Sequence, residues 1–280
     1  MSPGEGPFSV ETDDGATLSG ECSGEGAPIV LLHGLTATRR YVVMGSRALE
    51  RSGHLVLAYD ARGHGRSSPA PESAAYTYAL LVQDLRAVLD ALDVERAVLA
   101  GASMGAHTAI GLALAAPERV AGLVLITPGV DPLHPHDERE LRQWDALARG
   151  LREGGVEGFL AAYDFSEVPE SWRSTVERVV RQRLSAHEHP LAVADALQAL
   201  PRSAPFQRLE QLASIDVPTA VVGSRDEADP GHPLAVAERY TEHIQGARLV
   251  VEEPGSSPLA WQGGRLSHVI AELAGRSSIN

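Results

Sequence analysis

The stretch Ala97-Val98-Leu99-Ala100-Gly101-Ala102-Ser103-Met104-Gly105-Ala106 decides the fold. Its first four residues form a continuous apolar run, as a strand buried on both faces does, and from Met104 to Ala115 the chain reads as a helix. Residues 101–105 therefore stand at a strand-to-helix turn with a serine at its tip, the context in which Gly-x-Ser-x-Gly exposes a nucleophile. A turn that sharp leaves no room for side chains two residues to either side, which is the physical reason for Gly101 and Gly105. The helix N-terminus behind the serine favours a developing oxyanion.

Outward from this turn, short apolar runs alternate with helical periods, the pattern of a mostly parallel sheet covered by helices. Strands are expected at 8–12, 17–22, 28–32, 55–59, 97–100, 122–126, 220–223 and 248–252, the first two as a hairpin through Asp13-Asp14-Gly15. Helices are expected at 39–51, 76–92, 104–115, 234–244 and 264–274. Between the sixth and seventh strands lie about ninety residues with no strand pattern, too long for an ordinary connection. Five amphipathic pieces, 137–153, 156–163, 170–185, 191–200 and 206–212, make this an inserted helical subdomain. The expected division is a core of residues 1–130 and 214–280 with a helical insertion at 131–213.

Composition narrows the chemistry. All 24 basic residues are arginine, so mechanisms that need a lysine Schiff base or a Walker-type phosphate lysine are excluded. A net charge of −13 has the wrong sign for polyphosphate backbones, so nucleic acid is not an expected partner. One cysteine, Cys22, supports neither a disulfide framework nor a cysteine zinc cage, and fits a reducing compartment. With no membrane-length apolar run and no basic-then-apolar start, the expectation is a cytoplasmic protein with no membrane attachment. Its expected partner is a small-molecule substrate, with no cofactor and no metal, and homo-oligomerisation is left open.

Two further motifs flank the serine turn: His33-Gly34-Leu35 directly after the third strand, and Asp60-Ala61-Arg62-Gly63-His64-Gly65-Arg66-Ser67 after the fourth. The first lies where such folds supply a second oxyanion-hole amide, so the N–H groups of Leu35 and Met104 are expected to converge on a substrate carbonyl oxygen, each worth about 3 kcal/mol in the transition state. The second reads as structural, its glycines allowing a tight crossing. With these motifs in combination, the chain resembles the α/β-hydrolase superfamily over nearly its whole length. It is most similar to the branch of esterases, enol-lactonases such as 3-oxoadipate enol-lactonase, and C–C hydrolases with four-helix caps.

The resemblance implies an α/β fold with an eight-stranded, mostly parallel sheet, a helical cap after the sixth strand, and acyl transfer through Ser103. The family pattern for the triad acid fits Gly223-Ser224-Arg225-Asp226 with Asp226 as the acid, Asp229 second, and Asp131 where some relatives keep theirs. The base departs from the pattern. Members carry a Gly-His pair after the last strand, whereas here Gly255 is followed by Ser256, and serine cannot take a proton from Ser103. Of the other histidines, His107 lies one turn beyond Ser103 and reads as packed. His232, six residues after Asp226, is the candidate base. The leading expectation is a cofactor-independent serine hydrolase of a small carboxylic ester or lactone. The alternatives are a lyase or isomerase on the same fold, or a degenerate ligand-binding protein.

Overall fold

A computed structural model describes residues 4–225, 229–254, 256 and 261–277. Eight strands, β1 (Gly6–Glu11), β2 (Thr17–Ser23), β3 (Ala27–Leu32), β4 (His54–Tyr59), β5 (Ala97–Ala102), β6 (Val120–Ile126), β7 (Thr219–Val222) and β8 (Arg248–Val250), form one sheet in the order β1-β2-β4-β3-β5-β6-β7-β8. The β1–β2 and β2–β4 pairs are antiparallel and every other pair is parallel. The central strands are apolar throughout because helices cover both of their faces.

Helix α1 (Ala48–Arg51) precedes β4, α2 (Tyr78–Ala91) precedes β5, and α3 (Met104–Ala115) follows it. After the inserted helices α4 (Glu138–Ala162), α5 (Glu170–Leu184) and α6 (Pro190–Ala199), α7 (Leu234–His243) lies between β7 and β8, and α8 (Gly263–Ser277) follows β8. One apolar cluster, with Val30, Leu57, Leu85, Ile110 and Tyr240, fills the α2/α3/α7 face. The other, with Ile29, Val98, Val124 and Ile270, fills the α8 face. The inserted helices carry a cluster of their own, built on Leu147, Leu151, Phe159, Leu184, Val193 and Leu197, against which Leu35 packs. Among the described residues no helix is long and apolar enough to cross a membrane.

The structure corrects three elements. The helix expected over residues 39–51 is a single 3-10 turn, Arg39–Tyr41, and the four-residue α1. Between them Met44 and Gly45 take positive φ, and the Gly45 N–H donates back to Arg40, which ends the helical path. The helix expected at 206–212 is a 3-10 segment, Leu209–Ser214. Finally, β8 stops at Val250 rather than 252, and Glu252 turns inward. The two expected pieces 137–153 and 156–163 meet as α4, kinked where Gly155 adopts φ 60°.

Candidate active site

Ser103 sits between β5 and α3 at φ 48°, ψ −110°, a backbone strain that a non-glycine residue keeps only where its surroundings impose it. Its N–H donates to the Ile126 carbonyl at 2.9 Å, and its carbonyl accepts the first turn of α3 through His107. A Cβ on Gly101 would run into the backbone of Gly105, and one on Gly105 into the Leu32 carbonyl of β3, so both glycines are required by close approach. Gly34 lies beside the serine: a Cβ there would stand 3.5 Å from Ser103 Cβ. Met104 opens α3, so its N–H is one a helix leaves without an internal partner, and the Leu35 N–H has no protein partner among the described residues.

Facing this serine is the loop between β7 and α7. His232 Nε2 lies 2.8 Å from Ser103 Oγ, while Nδ1 lies 2.9 Å from each carboxylate oxygen of Asp229. An ionised carboxylate only accepts, so the proton rests on Nδ1 and the Nε2 lone pair accepts from the serine hydroxyl. The Asp229-Pro230-Gly231-His232 turn closes on itself, His232 N–H donating to the Asp229 carbonyl at 3.2 Å. Burial alone would lower the His232 pKa, but the charge and hydrogen bond of Asp229 outweigh it and raise it, with Arg183 opposing. Asp229 is the mirror case: burial would raise it, and His232 holds it below the usual carboxylate value. With the His232 side chain 25% exposed and Asp229 52%, solvent screens part of this coupling.

The wall behind His232 is the segment after β6. A Cβ on Gly129 would stand 3.2 Å from His232 Cδ2, and the N–H groups of Gly129 and Val130 both donate to His107 Nε2, at 3.2 and 3.1 Å. His107 Nδ1 lies 3.1 Å from the Tyr78 hydroxyl. Burial, helped by the charges of His232 and His136, pushes His107 down to about 3, so it stays neutral and serves as an acceptor.

The other candidates divide clearly. Asp226 lies outside the described residues, and the described carboxylate that meets His232 is Asp229. Asp131 is taken up elsewhere, by Arg239 at 2.5 Å and His134 at 2.7 Å. Ser256 is exposed, its N–H donating to the Glu253 carbonyl at 3.1 Å. Nearby, buried Glu252 ties the β7 loop to the end of β8, accepting from Arg225 N–H at 2.6 Å and Ser224 Oγ at 3.1 Å. His33 braces its loop by accepting from Ala61 N–H at 2.9 Å, and His187 of the insertion bridges Gly65 N–H and the Thr36 carbonyl. Asp60 anchors Arg39, and Arg62 is buried between Asp84 and Asp14, so the Asp60–Ser67 stretch is structural.

Sequence reasoning missed Gly129, a small residue in a loop with no motif around it. It ranked Asp229 second because the family spacing pointed to Asp226. The usable signal was the Asp-Pro-Gly-His run itself, whose tight turn brings residues three apart into contact. A cavity of about 700 Å³ lies elsewhere, behind β3 and β4 among Arg39, Val43, Glu50, Val56 and Asp60, and no member of the Ser103–His232–Asp229 chain lines it.

Comparison with known proteins agrees with this architecture. A family model described as alpha/beta hydrolase fold matches residues 27–263. A 2-hydroxy-6-oxononadienedioate/2-hydroxy-6-oxononatrienedioate hydrolase of Pseudomonas putida is 31% identical over 84% of this chain and 79% of its own length. The 3-oxoadipate enol-lactonase 1 of Acinetobacter baylyi is 28% identical over 84% of this chain and 85% of its own. Among solved structures, a thermophilic esterase from Thermogutta terrifontis superposes with a TM-score of 0.77 at 25% identity, over 97% of this chain and 98% of that one. The chain belongs to the α/β-hydrolase fold family and is a hydrolase of that family.

Proposed function

We propose that the protein hydrolyses a small carboxylic ester or lactone through an acyl-enzyme on Ser103, with His232 as the base and Asp229 as the residue that orients it. The observation that carries this reading is the unbroken chain of contacts, 2.9 Å from Asp229 to His232 and 2.8 Å from His232 to Ser103. His232 takes the hydroxyl proton as Ser103 Oγ bonds to the carbonyl carbon, and the tetrahedral oxyanion is held by the N–H groups of Leu35 and Met104. The imidazolium returns its proton to the leaving oxygen as the ester C–O bond breaks. Water activated by the same imidazole then releases the carboxylic acid and restores Ser103. The inserted helices act as a cap that excludes bulk water, and the names of the esterase and lactonase relatives support this substrate class.

Mixing the protein with excess p-nitrophenyl acetate should release a burst of nitrophenol close to one equivalent, and mass spectrometry should find the acetyl group on Ser103. A fluorophosphonate should label the same serine, and Ser103→Ala should lose both signals. No burst and no label under forcing conditions would leave a ligand-binding protein on a hydrolase scaffold.

A further inference from the structure

His187 stands in the loop between α5 and α6, and both nitrogens of its ring end on backbone groups of the core. Gly65 N–H donates to Nδ1 at 2.9 Å, and Nε2 lies 3.0 Å from the Thr36 carbonyl. A backbone N–H only donates and a carbonyl only accepts, so the ring is neutral with its proton on Nε2, the opposite tautomer to His232. Beside it, Glu188 N–H donates to the Gly65 carbonyl at 2.9 Å, and the Glu188 carboxylate reaches Arg66 at 3.4 Å.

What the Thr36 bond holds is the turn that presents the Leu35 N–H. Ala37 N–H donates back to the Gly34 carbonyl at 3.0 Å, closing residues 34–37 into a four-residue turn, and Thr36, its third residue, has φ 69°. Glycine or asparagine is the usual residue at such a position, and a β-branched side chain stays there only where its surroundings impose it. Each peptide group carries its carbonyl and its N–H in one plane, pointing opposite ways. The Thr36 carbonyl gripped by His187 therefore shares a plane with the Ala37 N–H, and the Gly34 carbonyl gripped by that N–H shares a plane with the Leu35 N–H. His33 Nδ1 reaches the same Gly34 carbonyl at 2.9 Å. The insertion also touches the turn directly, since the Leu35 side chain packs against its clusters around Leu197 and Ala192.

We propose that His187 is a positioning residue of the oxyanion hole: its Nε2–H heads a relay through the Thr36–Ala37 and Gly34–Leu35 peptide groups that aims the Leu35 N–H, so the hole is complete only with the inserted helices seated. Hydrogen bonds in series polarise one another, and an oxyanion donor stabilises the transition state only if it is fixed before the charge develops. The relay ties the strained Thr36 to the insertion and turns that contact into the direction of one N–H. This assignment rests on the acyl-enzyme reading above, in which the Leu35 N–H receives the oxyanion, and adds to it the group that aims that N–H.

His187→Phe keeps a ring of similar shape and loses both bonds; His187→Ala takes its place if that variant does not fold. With p-nitrophenyl acetate, the burst and the steady state should each slow by about tenfold or more while KM moves by less than about threefold, because one N–H serves both formation and breakdown of the acyl-enzyme. His187→Gln, whose amide oxygen and nitrogen can take over the two bonds, should recover to within about threefold of wild type. Glu188→Ala removes only the exposed ion pair to Arg66 and should leave both rates within about threefold. Rates retained in His187→Phe overturn the assignment, as does a His187→Gln protein no faster than His187→Phe. An equal loss in Glu188→Ala overturns it too, because seating of the insertion as a whole, and not the imidazole, would then set the rate. The relay is also read without turnover: exchange of the Ala37 amide, followed by NMR, should be at least about tenfold faster in His187→Phe and close to wild type in His187→Gln. If the wild-type protein gives no burst the acyl-enzyme reading fails, and unchanged exchange in His187→Phe then overturns the role of His187 on its own.

Discussion

At the scale of single residues, the unusual feature is that one four-residue turn, Asp229 to His232, carries both the imidazole that meets Ser103 and the carboxylate that meets that imidazole, while the position after β8 holds Ser256. If His232 is the base, His232→Ala should lower kcat on an activated ester by about 10³-fold or more, and Ser256→His should recover little. Unchanged activity in His232→Ala would remove the relocated base. The base works only when neutral, and Asp229 raises its pKa, so kcat/KM should fall as pH drops through a value above 6.5. Asp229→Asn removes the charge that raises it. That variant should move the acid limb to lower pH while cutting the rate about 10²- to 10⁴-fold. If the limb stays in place in Asp229→Asn and shifts instead in Asp226→Asn, the acid is Asp226.

At the scale of elements, His232 is positioned by three neighbours: the β7–α7 turn that carries it, the elbow opposite, and the post-β6 segment behind it. The last is the least tolerant, since neutral His107 fixes two of its amides and a Cβ on Gly129 would crowd the His232 ring at 3.2 Å. Gly129→Ala should therefore cost about tenfold or more in kcat with little change in melting temperature. Loss of fold, or no kinetic change at all, would show that the wall does not set the ring. The same contrast explains what was legible beforehand. The strands around Ser103 were readable because a buried parallel strand writes its burial directly into an apolar run, and the elbow because its glycines answer to local clashes. The helix expected at 39–51 failed because Met44 and Gly45 leave the helical region, which periodicity does not register. Gly129 was unreadable for a different reason: its contact with the His232 ring comes from chain far away in sequence.

At the scale of the whole molecule, several imidazoles are enclosed and held neutral. His33, His64, His107 and His187 all have depressed pKa values, chiefly because burial penalises the charged form; in His33, His64 and His187 nearby hydrogen bonds or charges partly offset this. The unfolded chain would protonate each near pH 6.5, so below that value it binds more protons than the folded protein and stability must fall with acidification. Each enclosed imidazole contributes a slope of up to about 1.4 kcal/mol per pH unit, and for His107 the window extends from 6.5 down to about 3. His232 has the opposite sign: its raised pKa stabilises the fold below 6.5, and that contribution is lost as pH rises through the folded value. It offsets only part of the others, since it is one group against four and its partner Asp229 is half exposed. Asp14, Asp131 and Asp229 are held below the normal carboxylate range, so their stabilisation is lost only in more acid solution, below about pH 4. Urea unfolding measured between pH 7.5 and 5 should show stability declining once below 6.5, by up to about 1.4 kcal/mol per pH unit for each imidazole that stays neutral in the folded protein. A profile that is flat down to pH 5 would mean that these imidazoles take up protons in the folded state, and the enclosure of His64 and His107 would then be wrong.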